Sequence, residues 1–165
     1  ETLQSMVAFG IQIANDISGL EKSSMRAIVR ENNLEAVVMH SRGTPATMQS
    51  LAHYDDLLAE VVEYFFDRLS LCVQDGIEPG KITLDPGLGF AKTWKDNLSI
   101  LQNIRCLDLG FPILVGASRK SFIGHITGKK VEDRLPGTIA TSLYLAHNGV
   151  DILRVHDARE NRDAL

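Results

Sequence analysis

Short apolar runs alternate with longer segments of mixed polarity along most of the 165-residue chain. The clearest helix is predicted over Asp55–Asp75, where Leu58, Phe65 and Leu69 recur at helical spacing and Gly76 marks the end. Near-continuous apolar strands that alternate with amphipathic helices are typical of a parallel sheet covered by helices, so the pattern predicts an α/β fold. The other predicted helices are Ser24–Asn32, Trp94–Cys106, Pro136–Asn148 and Arg159–Leu165, and the predicted strands are Ile11–Asn15, Ala36–His40, Lys81–Asp85, Phe111–Gly116 and Asp151–Val155.

The two ends of the chain resemble parts of elements rather than whole ones. Glu1–Gly10 is predicted to form the last turns of a helix closed by glycine, and Arg159–Leu165 the first turns of another helix. No linker, low-complexity segment or repeat divides the sequence. We therefore expect residues 1–165 to belong to one domain that starts partway through its fold.

Composition narrows the class of protein. Hydrophobic residues make up 44% of the sequence and charged residues 23%, which suits a globular unit, and the net charge of −4 argues against a general nucleic-acid binder. The apolar runs are too short to span a bilayer and Glu1–Gln4 lacks a basic signal-peptide region, so we expect a cytoplasmic protein without a membrane partner. Cys72 and Cys106 form no metal motif and are interpreted as reduced thiols.

One predicted strand ends in a negative charge. The run Ile82–Leu84 leads into Asp85, and the turn Pro86–Gly89 follows at once. Proline favours an extended backbone in the residue before it, and glycines allow a close approach to a ligand. We therefore expect Asp85 at the C-terminal tip of a strand, although aspartate is also common as a simple turn or helix cap.

Basic residues follow the predicted strands, whereas acidic residues precede them. In parallel α/β folds the C-terminal edge of the sheet is where ligands bind. We therefore predict a basic rim that holds an anion, with Asn15 and Asp85 as two non-basic groups that would meet a polar donor edge of the same ligand. The basic residues are His40, Arg42, Lys92, Arg119, Lys120, Arg154 and His156.

Several common motifs are excluded by spacing. The segment GHITGKK at 124–130 is one residue short of a phosphate loop, and the glycines at 87 and 89 lack the third glycine of a dinucleotide fingerprint. The segment that begins at Gly116 starts like a nucleophile elbow, but Lys120 stands where glycine is required. No two histidines have a metal-binding helical spacing, so hydrolase and protein-bound zinc functions are disfavoured.

Five segments together resemble the dihydropteroate synthase family of pterin-binding enzymes. They read NDISG at 15–19, VMHSRGTPATMQ at 38–49, LDPGLGFAK at 84–92, GASRKSFIG at 116–124 and RVHD at 154–157. They occur in order along nearly the whole chain, each at the end of a predicted strand. The resemblance implies a parallel (β/α)8 TIM-type barrel, of which this chain would supply about strands four to eight.

The resemblance also implies an activity. Family members join 4-aminobenzoate to (7,8-dihydropterin-6-yl)methyl diphosphate, giving 7,8-dihydropteroate and diphosphate in folate biosynthesis. By matching position, Asn15, Asp85 and Lys120 would hold the pterin, and Met39 would pack near its ring.

The second substrate and the leaving group would have their own residues. The resemblance implies that Arg154 and His156 bind the diphosphate and that Lys120, Arg154 and His156 are the catalytic residues. Ser121 would meet the carboxylate of 4-aminobenzoate and Phe90 would pack against its ring. Arg42 and Arg119 could belong either to the site or to a solvated rim.

The family pattern also includes parts that this chain does not match. The resemblance implies Mg²⁺ as a cofactor, with its protein ligand in N-terminal strands that no segment here resembles, so we expect no metal ligand in this sequence. It further implies a homodimer when the protein is full length, and an isolated fragment that is inactive.

Two other functions remain open from the sequence. One is a module that presents methyltetrahydrofolate to a corrinoid partner on a similar barrel, although the segments at 118–124 and 154–157 suit aminobenzoate and diphosphate better. The other is a noncatalytic fragment that only binds a partner or completes the barrel of another chain.

Overall fold

Five parallel strands follow one another in chain order across the sheet. In the computed structural model, which describes residues 2–165, β1 (Ile13–Asp16), β2 (Glu35–Met39) and β3 (Ile82–Asp85) form one ladder, and β4 (Leu114–Val115) and β5 (Ile152–Leu153) form a second. A parallel bridge between Leu84 and Ile113 places β4 next to β3. Within the described residues β1 and β5 are each paired on one side only, so the strands form an open arc.

Helices connect the strands and cover one face of the arc, which confirms the α/β prediction. The longest helix begins where the Asp56 side chain accepts the Ala59 N–H at 3.1 Å, a typical N-cap. The helices are α1 (Thr2–Val7), α2 (Ser23–Glu31), α3 (Leu57–Gln74), α4 (Trp94–Gln102), α5 (Ser121–Thr127), α6 (Leu135–His147) and α7 (Ala158–Ala164), with 3-10 turns at Met48–Leu51, Pro79–Lys81, Ile104–Leu107 and Val131–Asp133.

Alternate residues of the strands separate the core from the inner face of the arc. Ala36, Val38 and Leu84 belong to the buried cluster that the helices cover, together with Phe65 of α3. The parallel register pairs Asn15 with Val37 and Met39 with Asp85, so these four residues lie on the opposite, inner face.

The structure corrects several predicted boundaries. The helix predicted to reach Cys106 ends at Gln102, because Asn103 leaves the helical conformation and its side chain caps the carbonyl of Ser99 at 2.9 Å. The strand predicted from Phe111 is much shorter, since Pro112 has no N–H to donate to a ladder. The last strand is likewise limited to Ile152–Leu153.

The helix predicted at the N-terminal end of the chain is confirmed in part. A helix is present over Thr2–Val7, ahead of a glycine with a positive φ of 76° at Gly10. The prediction for Glu1 lies outside the described residues. Among residues 2–165, no helix combines the length and apolar character needed to cross a bilayer.

Candidate active site

The C-terminal ends of the strands bring most of the predicted site residues to the inner face of the arc. Met39 and Asp85 are register partners at the ends of β2 and β3. Beyond β4 and β5 the same register places Gly116 opposite Arg154, and Ser118 opposite His156. Because parallel strands all end at the same edge, residues far apart in sequence face one another there.

Asp85 is the buried carboxylate of this edge, with only 2% of its surface exposed. Its Oδ1 accepts the Gly87 N–H at 2.8 Å, and its carbonyl accepts the His40 N–H at 2.8 Å. Burial raises the pKa of Asp85, while the Gly87 N–H and then the cations of Lys120 and Arg154 oppose that rise. Hydrogen-bond donors of a ligand would therefore bind favourably to this carboxylate.

Gly87 allows the turn after Asp85 to lie directly against the end of β2. Its φ is +65°, and a Cβ atom there would lie 2.0 Å from the carbonyl oxygen of His40. No other residue fits this approach. The sequence predicted that the glycines of this turn allow a close approach to a ligand; the close approach seen at Gly87 is to the backbone of His40.

Lys92 is not part of a basic rim, and this corrects the sequence prediction. It is 3% exposed, and its Nζ lies 2.7 Å from His40 Nδ1, 3.1 Å from the Phe90 carbonyl and 3.3 Å from the Gly87 carbonyl. Burial lowers the pKa of Lys92 to about 7. Burial, followed by the cations of Lys92 and Arg42, also lowers the pKa of His40, so His40 is a neutral acceptor.

Lys120 crosses from the loop after β4 toward the turn after β3. Its Nζ donates to the Leu88 carbonyl and lies 5.1 Å from the centroid of the Phe90 ring, a cation–π distance. Burial lowers the pKa of Lys120 to about 8, while Asp85 opposes this shift. Lys120 and Phe90 therefore form a common wall beside Asp85.

Arg154 and His156 line a cleft of about 270 Å³ together with Gly116, Ser118, Lys120 and Val155. The His156 ring is held by Ser118, whose Oγ lies 2.9 Å from Nδ1 and accepts the His156 backbone N–H at 3.2 Å. Within residues 2–165, no carboxylate lies within ion-pair distance of Arg154 or Lys120. A cleft lined by cations that are not held in ion pairs suits an anionic ligand.

Arg42 and Arg119, the two residues with undecided roles, are both engaged in ion pairs. Arg42 pairs with Glu60, donates to the His53 carbonyl at 2.6 Å and stacks 3.9 Å from the Tyr54 ring centroid. Arg119 donates to both carboxylate oxygens of Asp157, at 3.0 and 2.5 Å. These contacts account for the positions of both arginine side chains without a bound ligand.

Asn15 and Ser121 lie at the margins of the site. Asn15 is exposed at the open edge of β1, where it borders an apolar groove of about 330 Å³ that also includes Ile13 and Met25. Ser121 is the first residue of α5, as predicted, and is exposed. The structure thus gathers Met39, Asp85, Phe90, Lys120, Arg154 and His156 near one another, while Asn15 and Ser121 flank them.

Sequence reasoning missed Ser118 and Asn97 as supports of the site. Ser118 orients His156, and Asn97 Oδ1 accepts the Gly89 N–H at 2.7 Å, which anchors the turn after Asp85. Nothing in the local sequence marks Asn97, which lies inside an ordinary helix. Ser118 is separated from His156 by the same 38 positions as the paired strand residues, a register that only the structure reveals.

No metal site forms among the described residues. Within residues 2–165, no three histidine, cysteine, aspartate or glutamate side chains lie close enough together to hold a metal ion. Mg²⁺ is commonly bound by only one or two protein carboxylates, so the expected cofactor stays a prediction.

The C-terminal edge of this parallel sheet has a buried carboxylate and several cations around one cleft. This arrangement is typical of a β/α-barrel enzyme that binds an anionic ligand. A family model described as "Pterin binding enzyme" matches residues 1–156. This chain belongs to the pterin-binding enzyme family, as the resemblance of its strand-end segments implied.

The chain is similar to several dihydropteroate synthases. It is 37% identical over 166 residues to that of Escherichia coli K12, covering 100% of this chain and 59% of the relative. It is 41% identical over 160 residues to that of Synechocystis, covering 95% and 55%. The chain therefore spans a little over half the length of these relatives.

Solved structures agree on the fold. Dihydropteroate synthase from Thermus thermophilus in complex with 6HMPPP aligns with a TM-score of 0.93 and 36% identity, covering 98% of this chain and 65% of that one. The complex of the Thermus thermophilus enzyme with 4-aminobenzoate aligns with a TM-score of 0.91 and 37% identity, covering 96% and 62%. The open arc is thus part of a TIM-type barrel.

Proposed function

We propose that this chain is the C-terminal part of a dihydropteroate synthase, a transferase that condenses 4-aminobenzoate with (7,8-dihydropterin-6-yl)methyl diphosphate. The observation that carries the proposal is the cleft lined by Lys120 and Arg154, which have no carboxylate within ion-pair distance among residues 2–165, next to the buried Asp85. One end of that arrangement suits a polyanion and the other a polar ring with N–H donors.

Asp85 would bind the pterin through its aminopyrimidine edge. Two N–H donors of that edge would replace the water that the carboxylate loses on burial, which favours the ionised form. Lys120 and Asn15 would meet other polar atoms of the ring, and Met39, which is buried beside Asp85, would pack near it. The exposure of Asn15 at the edge of β1 means that a neighbouring strand would complete this side.

Arg154 and His156 would bind the diphosphate and, with Lys120, act in catalysis. The amine nitrogen of 4-aminobenzoate attacks the pterin methylene carbon, a C–N bond forms, and the C–O bond to diphosphate breaks. The departing oxygen takes the electron pair and the amine releases a proton. Because negative charge grows on the leaving group, fixed cations stabilise the transition state more than the ground state.

The second substrate would lie between Phe90 and Ser121. The Phe90 ring, already in contact with the Lys120 ammonium, would pack against the aromatic ring, and the exposed Ser121 hydroxyl would meet the carboxylate. The structure of the similar Thermus thermophilus enzyme in complex with 4-aminobenzoate supports this choice of substrate. The amine is already a nucleophile, so the site needs no strong base.

The cofactor, assembly and location expected from the family remain proposals. Mg²⁺ would be held by residues outside this sequence, the complete protein would be a homodimer, and it would be cytoplasmic. We also expect the 165-residue chain alone to have negligible synthase activity, since part of the substrate surroundings would come from the remaining length of the barrel.

A chimera tests the proposed function. The matching 166 residues of the Escherichia coli relative would be replaced by this chain, and dihydropteroate and diphosphate formation would be measured. We expect equimolar products, with wild-type Escherichia coli enzyme as the positive control and the chimera carrying Asp85→Asn and Lys120→Ala as the negative one. A well-folded chimera that forms neither product would contradict the proposal.

The alternative functions make different predictions. The named relatives above are dihydropteroate synthases, which does not favour a methyltetrahydrofolate-presenting module. Such a module would bind methyltetrahydrofolate tightly without any effect of 4-aminobenzoate. A noncatalytic fragment would give no turnover even when mixed with the remaining part of the barrel.

A further inference from the structure

Arg119 has a backbone conformation that is unusual for its side chain. Its φ is +58°, in the left-handed region, and it lies in a turn closed by the Lys120 N–H and the Ala117 carbonyl at 3.2 Å. Glycine or asparagine is the usual residue at such a position, because a Cβ atom makes it less favourable. An arginine at this position implies that its side chain has a role that offsets the unfavourable backbone conformation.

Two residues near the start of α6 hold the Arg119 backbone in place. The Arg119 N–H donates to Thr138 Oγ1 at 3.0 Å, and its carbonyl accepts from Arg134 Nη1 at 2.9 Å. Thr138 is completely buried. Gly124 makes room for this arrangement, since a Cβ atom there would lie too close to the Arg134 guanidinium.

The Arg119 side chain reaches the loop after β5. Its guanidinium binds both oxygens of Asp157, while the preceding residue, Ser118, binds His156. The ladder pairs Leu114 with Ile152, and these side-chain contacts keep the same separation of 38 positions. The pairing of β4 and β5 thus continues through side chains beyond the two-residue strands.

We infer that Arg119 is a positioning residue: through Asp157, Thr138 and Arg134 it fixes the loop after β4 against the loop after β5, and so sets the distance between Lys120 and the Arg154–His156 pair. The inference rests on the proposed function for its effect on catalysis. Its structural part does not depend on that function. A displacement of about 1 Å between catalytic groups can cost on the order of 100-fold in rate.

Arg119→Gln and Arg159→Gln form a matched pair of variants. Both remove an arginine charge from an ion pair, but Arg159 pairs with Asp163 within α7 at 3.8 Å and joins no two loops. In the complete natural polypeptide that carries this sequence, we expect Arg119→Gln to lower kcat on the order of tenfold or more and to raise KM for the diphosphate substrate. The KM for 4-aminobenzoate and the unfolding midpoint should change little, and Arg159→Gln should match wild type.

Amide hydrogen exchange provides a readout that does not require activity. In Arg119→Gln, exchange at residues 117–120 and 154–157 should both accelerate, whereas in Arg159→Gln neither should. Thr138→Val should accelerate exchange at residues 117–120, and Thr138→Ser, which keeps the hydroxyl, should restore protection.

The outcomes separate the inference from the proposed function. Unchanged exchange in both segments of Arg119→Gln would overturn the inference, as would an active wild type whose kinetics match those of Arg119→Gln. If Arg119→Gln lost activity only in proportion to a lower unfolding midpoint, Arg119 would be merely structural and the inference would fail. Accelerated exchange in a protein whose wild type makes no dihydropteroate would support the loop coupling and refute the proposed function alone.

Discussion

The two halves of the strand-end edge use their cations differently. After β2 and β3, Lys92 is buried against His40 and Arg42 is paired with Glu60. After β4 and β5, Lys120 and Arg154 have no carboxylate within ion-pair distance among residues 2–165 and line one cleft. Both basic residues of the first half are thus engaged by protein groups, whereas the second half combines one paired arginine, Arg119 with Asp157, with two cations that are not held in ion pairs. A basic residue at a strand end is therefore informative only once its partners are known.

Removing a ligand-facing cation should have the largest effect. In the active chimera or the complete natural polypeptide, Lys120→Ala and Arg154→Ala should each lower kcat by on the order of 10²–10³-fold, because charge on the departing diphosphate would lose a fixed partner. Steady-state assays of diphosphate release check this. Arg159→Ala, an exposed arginine outside the cleft, is the control, and an equal loss in that variant would argue against a specific role.

Neutralising Asp85 should have the next largest effect, on pterin binding. Asp85→Asn keeps the shape but replaces one acceptor oxygen by a donor, so affinity for a pterin should fall by on the order of 10²-fold. Isothermal titration with a pterin ligand measures the change. Circular dichroism would show whether the fold is kept, and unchanged affinity in a folded variant would remove Asp85 from the site.

The charge on Lys120 predicts how substrate affinity depends on pH. Because burial lowers the pKa of Lys120 to about 8, its ammonium is lost as pH rises through that value in the free protein. Affinity for the diphosphate substrate should therefore fall above about pH 8, with a slope approaching tenfold per unit. The slope should disappear in Lys120→Ala; a slope that persists there would belong to another group.

Lys92 should affect stability rather than ligand binding. Its pKa falls from 10.5 to about 7 on folding, so between these pH values the unfolded chain binds more protons than the folded one. The contribution of Lys92 to the free energy of unfolding therefore rises with pH from about 7 to about 10.5. Denaturant titrations at several pH values should show this slope in the wild type and lose it in Lys92→Met. An identical slope in both proteins would mean that Lys92 stays charged when buried.

The sequence predicted the order of elements well, because apolar strands and amphipathic helices repeat clearly from Ile11 onward. It also placed Asp85 and Ser121 at the ends of their elements, since proline, glycine and helix starts are local signals. It could not separate Lys92 from Lys120, because burial against His40 depends on two loops 52 positions apart. The same applies to the ion pairs of Arg42 and Arg119, which form only after the chain folds.

Binding of inorganic diphosphate tests the difference between the two halves most directly. Calorimetric titrations would compare the wild type with Arg154→Ala and Arg42→Ala, two variants that lose the same charge on opposite halves of the edge. The account predicts that Arg154→Ala weakens diphosphate binding by on the order of tenfold or more, while Arg42→Ala stays within about twofold of the wild type. Equal weakening in both variants, or a larger loss in Arg42→Ala, would contradict it.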